Sequence, residues 1–284
     1  KIMGLSEKQM RIIKSNDEFQ MIPEELEAQI QKDLENGFMP SIIIASAGTT
    51  NTGSVDKLDQ IADIAEKHDI WLHVDGAYGA SYILSDYEKH RFKGIDRADS
   101  VSWDGHKMLY QNYSSAMVLV KDKRFLFNSY SAKPEYLEDV ELEGHDNFGS
   151  LGIELTRPVR ALKMWVTFES LGLNEVKRRI EQASLNANYL HKLLNKDNYW
   201  QIISGPCLGI INFRYYNPSF TEDKLDNINH SLSQRILKSG YAGLFTTELK
   251  GHTVLRAAVT NPFLSQEDLK GLMLRLNDEL KTLL

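Results

Sequence analysis

The fold is decided by the stretch ADSVSWDGHKM, residues 98–108. Residues 100–103 have the β-prone composition of a short strand, and Lys107 follows that strand closely. A second stretch, IWLHVDGAYG at residues 70–79, predicts a buried strand that ends at Asp75. If the two strands lie in one largely parallel sheet, Asp75 and Lys107 leave it at the same carboxyl-terminal edge, where open α/β sheets bind ligands.

A strand, a loop, a helix and a second strand follow one another just before this point. The β-branched run at residues 41–46 is typical of a strand covered on both faces, and residues 47–53 (AGTTNTG) form a loop of small and hydroxyl side chains. Residues 56–68 carry apolar side chains at helical spacing. In a βαβ unit successive strand ends lie on one side, so the 47–53 loop is expected beside Asp75. The predicted fold class is α/β, with a mainly parallel central sheet flanked by helices.

The rest of the chain continues with weaker patterns. Residues 9–14 indicate an apolar strand with Met10, Ile12 and Ile13 buried, whereas residues 125–152 lose any period, as in a functional loop or an interface segment. Further helices are expected to begin at Pro23 and at Thr156, and to cover residues 176–194, 221–238 and 265–284. The helix that begins at Thr156 would have Leu162, Trp165 and Val166 on one side. Strands are expected at residues 114–120, 200–204, 209–215, 246–249 and 253–259. The expected organisation is part of a large domain (1–124), a functional or interface loop (125–153), a connecting helix (154–175) and a smaller α+β carboxyl-terminal domain (176–284).

Composition restricts the class of partner. The 284 residues are 42% hydrophobic and 25% charged, with a formal net charge of −6, which gives no basic field for nucleic acid. The longest apolar runs are too short to cross a bilayer, so we expect a soluble protein. The single cysteine, Cys207, excludes an internal disulfide and is expected to be a small buried residue in a cytoplasmic protein. A small molecule is therefore the expected partner.

An amine and a carboxylate at one sheet edge predict a specific chemistry. An aldehyde cofactor needs a lysine amine to form a Schiff base, and a pyridine ring used as an electron sink needs a carboxylate on its nitrogen. Lys107 and Asp75 are the candidates for these two roles in a pyridoxal 5'-phosphate site.

Several sequence blocks carry a resemblance to a known family. HVDGAYG at 73–79, DS at 99–100 and HKM at 106–108 resemble the group II pyridoxal-phosphate-dependent amino-acid decarboxylases, which include aromatic, glutamate, tyrosine and 2,4-diaminobutyrate decarboxylases. The likeness continues through GTT at 48–50, PEYL at 134–137, RALKMW at 160–165 and LR at 255–256. It implies the fold type I of pyridoxal-phosphate enzymes and the decarboxylation of an L-amino acid to an amine and carbon dioxide.

The resemblance also implies roles for individual residues. Lys107 would form the Schiff base and Asp75 would bind the pyridinium nitrogen; Ala77 would pack on one ring face, Thr50 would lie close to the cofactor, and His106 beside its phosphate. Asp104 stands where many members have asparagine, and Gly76 and Ala80 replace the commoner alanine and glycine.

Two further implications concern parts of the enzyme beyond this site. Tyr136 would be the acid on a loop that reaches into the partner subunit of a homodimer. The family's stacking histidine and its phosphate loop precede the residues present here, so we expect the chain to be one piece of a larger enzyme.

Each assignment has a simpler alternative. Lys107 without its context would be a surface charge, Asp75 could cap a turn, and Tyr136 could be an interface contact. Arg157 is better explained as a helix-start or salt-bridge residue than as an anion ligand. His73, Asp75 and His106 lack the spacing of a metal site.

Three functions remain open at this stage. The first is an amino-acid decarboxylase, the second a cofactor-free fragment, and the third another lyase or an aminotransferase on the same fold. Trp103, Tyr110 and residues 125–150 could shape a pocket for an aromatic or a diamino acid.

Overall fold

The computed structural model describes residues 4–131 and 147–284. Its α-helices are α1 (Pro23–Glu35), α2 (Leu58–His68), α3 (Lys123–Tyr130), α4 (Arg160–Leu171), α5 (Leu173–Leu194), α6 (Glu222–Lys238) and α7 (Gln266–Leu283). Its strands are β1 (Ile42–Ser46), β2 (Trp71–Asp75), β3 (Ser100–Asp104), β4 (Ala116–Val120), β5 (Trp200–Cys207), β6 (Ile210–Tyr215), β7 (Phe245–Leu249) and β8 (His252–Ala258). None of the helices in this described part of the chain is long and apolar enough to span a membrane.

Strands β1 to β4 form one sheet in sequence order, which we call the large sheet. β1, β2 and β3 are parallel and β4 is antiparallel to β3. The register pairs Ser46 with Asp75 and Asp75 with Ser102, so the ends of β1 and β2 lie beside the last residues of β3. The prediction of an α/β fold with a mainly parallel sheet is confirmed.

The two faces of the large sheet have different environments. Ile43 and Ala45 of β1 lie in a core with residues of α1, α2 and the first half of α5. On the other face, here called the open face, Ile42 and Ile44 are 55% and 57% exposed. The prediction that this strand is covered on both faces is therefore wrong for the described chain, because a β-branched run does not reveal whether a second layer is present.

Strands β5 to β8 form a second, antiparallel sheet in the order β5-β6-β8-β7, which we call the small sheet. It packs on α6, α7 and the second half of α5 around its own core. α7 begins with a capping box, in which Ser265 Oγ accepts from the Asp268 amide and Asp268 Oδ2 accepts from the Ser265 amide. The apolar stripe of α5 packs into both cores.

The structure differs from the sequence patterns at three places. Residues 10–14 form no strand, and Ile12 is 97% exposed while only Ile13 packs on a core. α3 occupies residues where an aperiodic segment was expected. α4 begins at Arg160 instead of Thr156, and its expected apolar side is exposed, with Trp165 at 60%. Alternation and helical spacing thus identified apolar faces, but not whether the described chain covers them.

Candidate active site

Asp75 is the last residue of β2, and its side chain is exposed on the open face of the large sheet. Its Oδ1 accepts hydrogen bonds from the Ala77 amide and from the Ser102 hydroxyl, both at 3.1 Å. Oδ2 has no hydrogen bond to any residue in 4–131 or 147–284. The carboxylate is therefore held in place by one oxygen and presents the other at the sheet edge.

Lys107 follows the end of β3 in a tight turn. The turn is closed by bonds from the Lys107 amide to Asp104 O, at 3.2 Å, and from the Tyr110 amide to Lys107 O, at 3.1 Å. Lys107 Nζ lies 2.9 Å from Asp104 Oδ2, and its side chain is 39% exposed. Because β2 and β3 are parallel, the amine and the Asp75 carboxylate leave the sheet at the same edge, as the sequence predicts.

Asp104 is oriented by the two basic residues that follow it. Its Oδ2 lies 2.9 Å from Lys107 Nζ and 3.6 Å from His106 Nε2. His106 donates from Nδ1 to Ser115 O at 2.8 Å, since a carbonyl can only accept, and its ring packs 4.7 Å from that of Tyr113. The carboxylate at position 104 thus faces the Lys107 ammonium, which partly compensates its charge.

The 47–53 loop lies beside Asp75, as expected. The Ala47 amide donates to Asp75 O at 2.8 Å. Gly48 has a φ of +102°, and a Cβ on it would lie 2.8 Å from the Cα of Gly79. The two backbones can approach so closely only because both residues are glycine. Thr50, on the outer part of this loop, is exposed.

Ala77 joins the Asp75 turn to the next strand. Its amide binds Asp75 Oδ1, and its carbonyl accepts from the Asp104 amide at 3.2 Å. The side chain is half-buried. Ala77 therefore lies between the two acidic residues of the edge, where a small side chain leaves room for a flat ring.

Two residues beside the loop were not assigned a role from the sequence. Arg256 of β8 donates from Nε to Thr50 O at 2.8 Å, and burial lowers the pKa of its guanidinium. Asp56 is 6% exposed and accepts from the amides of Met21 and Ser46, both at 2.7 Å. Burial raises the pKa of Asp56. The LR block at 255–256 was a usable signal for Arg256, whereas nothing in the sequence identified Asp56.

Other candidates are not brought to the edge as site groups. Tyr136 lies outside the described residues. Arg157 donates to the carbonyls of Phe148, at 2.8 Å, and Glu154, at 3.2 Å, which supports its simpler interpretation as a local structural residue. His73 Nδ1 pairs with Ser100 Oγ at 2.8 Å, and no group of three potential metal-ligating side chains occurs in residues 4–131 and 147–284.

The two aromatic residues expected to shape a pocket use their polar atoms elsewhere. Trp103 donates to Ser81 Oγ at 2.8 Å, on the covered side of the large sheet. The Tyr110 hydroxyl donates to the carbonyls of Arg179 and Thr260, both at 3.1 Å. Burial raises the pKa of Tyr110 to about 12. These contacts make both residues structural, and the expectation that they shape a pocket gains no support.

The donor set at this edge suits an aldehyde cofactor with a basic ring nitrogen. A partly exposed primary amine, Lys107 Nζ, can bond to an aldehyde once its contact with Asp104 is given up. An exposed carboxylate with one oxygen unused, Asp75, can accept from a protonated ring nitrogen. The residues present therefore fit pyridoxal phosphate.

Comparisons with known proteins agree with this chemistry. The pyridoxal-dependent decarboxylase conserved domain matches residues 1–216. The aromatic-L-amino-acid decarboxylase of Bacillus atrophaeus is 37% identical over 279 residues, which are 97% of this chain and 58% of that protein. The acidic amino acid decarboxylase GADL1 of Homo sapiens is 33% identical over 283 residues, 95% of this chain and 54% of that protein.

A solved structure gives the same result. The crystal structure of mouse CSAD in apo form matches with a TM-score of 0.90 at 29% identity, over 98% of this chain and 60% of that chain. The chain thus spans little more than half the length of these relatives. The family match covers most of the chain and includes both residues of the sheet edge, and the chain belongs to the pyridoxal-dependent decarboxylase family.

Proposed function

We propose that this chain is part of an enzyme that uses pyridoxal 5'-phosphate to decarboxylate an L-amino acid to its amine. The observation that carries the proposal is the common edge of Lys107 and Asp75 at the ends of two parallel strands. When bound, the cofactor supplies the electron sink for the bond that breaks. Family membership supports the same reaction class.

The two principal residues have complementary tasks. Lys107 would supply the amine for the cofactor aldehyde, and Asp104 Oδ2, 2.9 Å away, orients its Nζ. Asp75 would hold a proton on the ring nitrogen through a charge-assisted hydrogen bond, and Ser102 and the Ala77 amide keep its carboxylate in position.

Four further residues complete the proposed cofactor site. Ala77 would pack on one ring face, and Thr50 would border the cofactor from its loop. His106 would lie beside the phosphate, and its Nε2 is 3.6 Å from Asp104 Oδ2. Since Asp104 faces Lys107 and His106, its negative charge opposes a phosphate less than that of an isolated carboxylate would.

A homodimer with a shared active site is part of this proposal. Tyr136 would donate the proton to the substrate carbon from the partner subunit. Exposed apolar side chains on α3 and α4 support an interface that includes these helices, among them Phe125 (52%), Leu162 (53%) and Trp165 (60%). The single cysteine and the lack of a membrane-spanning helix in the described residues are compatible with the proposed cytoplasmic location.

The proposed organisation of the chain follows the same scheme. Residues 1–124 would belong to the large cofactor-binding domain, 125–153 to a catalytic and interface segment that includes most of α3, 154–175 to a connection that includes α4, and 176–284 to the small domain. The support is the separate core of each sheet, with α5 packed into both.

Borohydride reduction of the complete protein tests the cofactor role directly. We expect a pyridoxyl group on Lys107 by peptide mapping, none in the Lys107→Ala variant, and unchanged labelling in Lys67→Ala, which removes an exposed lysine of α2. A protein that takes up no pyridoxyl group on Lys107 would contradict the proposal and support a cofactor-free role.

Gas release tests the reaction type. We expect carbon dioxide from a carboxyl-labelled L-amino acid, drawn from an aromatic, an acidic and a diamino panel, without any added keto acid. Amino-group transfer that requires a keto acid would instead support an aminotransferase.

A further inference from the structure

A polar row crosses one face of the small sheet. Ser204 of β5, Asn212 of β6 and Arg256 of β8 are register partners, so their side chains lie on the same side of the sheet. Their neighbours Ile211 and Phe213 point to the opposite side, into the core of the small domain. The polar row therefore faces away from that core.

The polar row and Cys207 bind the 47–53 loop. Asn212 Nδ2 donates to Asn51 O at 3.0 Å, Arg256 Nε to Thr50 O at 2.8 Å, and Cys207 Sγ to Gly53 O at 3.1 Å. Three carbonyls of one short loop thus accept hydrogen bonds from side chains more than 150 residues away in the sequence. We call this set of contacts the carbonyl clamp.

Asn212 is the central and most buried member of the carbonyl clamp, with no exposed surface. The Asn51 carbonyl can only accept, so the nitrogen of the Asn212 amide must face it. The same nitrogen also donates to Ser204 Oγ at 2.8 Å. Within the described residues the buried Oδ1 has no hydrogen-bond partner. This unpaired acceptor opposes folding, whereas the bonds from the nitrogen hold Asn51 O and Ser204 Oγ.

The loop is attached to the strand edge that carries Asp75. At its start, the Ala47 amide is bonded to Asp75 O, and Gly48 lies against Gly79 without room for a side chain. At its other end, a Cβ on Gly53 would lie 2.4 Å from the Cys207 carbonyl. A loop packed this closely at both ends has little freedom to shift unless its contacts change.

We propose that Asn212 is a positioning residue for the reaction. By holding Asn51 O, it fixes where Thr50 lies relative to Asp75 and the Lys107 amine. The inference rests on the proposed function for its catalytic consequence, but the clamp itself can be measured without any activity.

The test compares two isosteric variants of the complete, cofactor-loaded protein. Asn212→Leu removes the donor to Asn51 O, whereas Asn229→Leu is the matched control. Asn229 is also fully buried and bonds to backbone groups of Tyr215 and Leu225, but it lies on α6 within the small-domain core and does not contact the loop. Both variants are measured well below their unfolding midpoints, so that a general loss of stability affects them alike.

Peptide-level hydrogen exchange and steady-state kinetics are the two measurements. The amides of Gly48 and Thr49 donate to Ser54 O, and the Gly53 amide donates to Thr49 O. In Asn212→Leu we expect these three amides to exchange at least tenfold faster than in Asn229→Leu. We also expect kcat to fall about tenfold with the pyridoxyl label on Lys107 retained, and Asn229→Leu to keep its kcat.

Each outcome bears on the proposal. Equal loop exchange in the two variants overturns the clamp, and faster exchange with unchanged kcat and KM overturns the positioning role. If the unsubstituted protein releases no carbon dioxide from the substrate panel, the proposed function and the positioning role fail together. The exchange comparison then still decides whether Asn212 holds the loop.

Discussion

The two sides of the candidate site are built in different ways. On the large-sheet side, Asp75 and Lys107 follow directly from two strand ends, and local turns orient them. On the small-sheet side, Asn212 and Arg256 reach the loop through contacts that span more than 150 residues. The first side supplies the reactive groups and the second, in our proposal, holds the 47–53 loop beside them, so substitutions on the two sides should differ in size and in kind.

Asp75→Asn should have the largest effect, because it removes the only carboxylate proposed for the ring nitrogen. We expect carbon dioxide release to fall by between about 100-fold and 10,000-fold, while Lys107 still takes up the pyridoxyl label. Asp96→Asn, which changes an exposed aspartate of the short helix Ile95–Arg97, is the control. Activity of Asp75→Asn close to that of the control would remove Asp75 from the mechanism.

Arg256→Met should have a smaller effect and tests the other side. It removes the donor to Thr50 O and a half-buried cation at the loop, and we expect kcat/KM to fall about 10- to 100-fold. Arg256→Lys keeps the charge without the rigid guanidinium geometry and should recover part of this loss. Unchanged kcat/KM in the methionine variant would show that the Arg256 contact on the small-sheet side does not contribute to the reaction. The proposed division between reactive groups and supporting contacts would then be wrong for this residue.

How much could be predicted from the sequence follows the same division. The strand ends that carry Asp75 and Lys107, and the loop beside them, were predictable. Each strand is visible in the local sequence pattern, and the βαβ rule places successive strand ends on one side. The carbonyl clamp was not, because the residues that bind loop carbonyls have no distinctive spacing. Ile42 and Ile44 show another limit, since their β-branched run does not indicate whether a second layer covers them.

Asp56→Asn should alter the pH dependence of stability more than the activity. Burial raises the pKa of Asp56 above its ordinary value of 3.8, so the folded state binds the proton more tightly than the unfolded state. The penalty for ionising this carboxyl in the folded state therefore grows as pH rises from about 3.8 to the raised pKa, and stays constant above it.

Urea unfolding of the wild type and of Asp56→Asn across this range measures the difference. We expect the asparagine variant to lose about 1–3 kcal/mol at low pH, because its amide cannot accept from both the Met21 and Ser46 amides. The deficit should shrink as pH rises. A deficit that grows with pH would mean that the folded protein favours the ionised carboxylate, contrary to the direction of the shift.

Cys207 should give the smallest effect and sharpens the ranking within the clamp. Burial raises the pKa of its thiol to about 11, and its Sγ donates to Gly53 O. Since the thiolate is the reactive form, labelling by a disulfide reagent at pH 8 should be about 100-fold or more slower in the folded protein than in denaturant. Cys207→Ala should cost about 1 kcal/mol of unfolding free energy and increase loop exchange less than Asn212→Leu does, because a thiol is a weak donor. An equal or larger increase would place the main hold on the loop at Gly53 instead of Asn51.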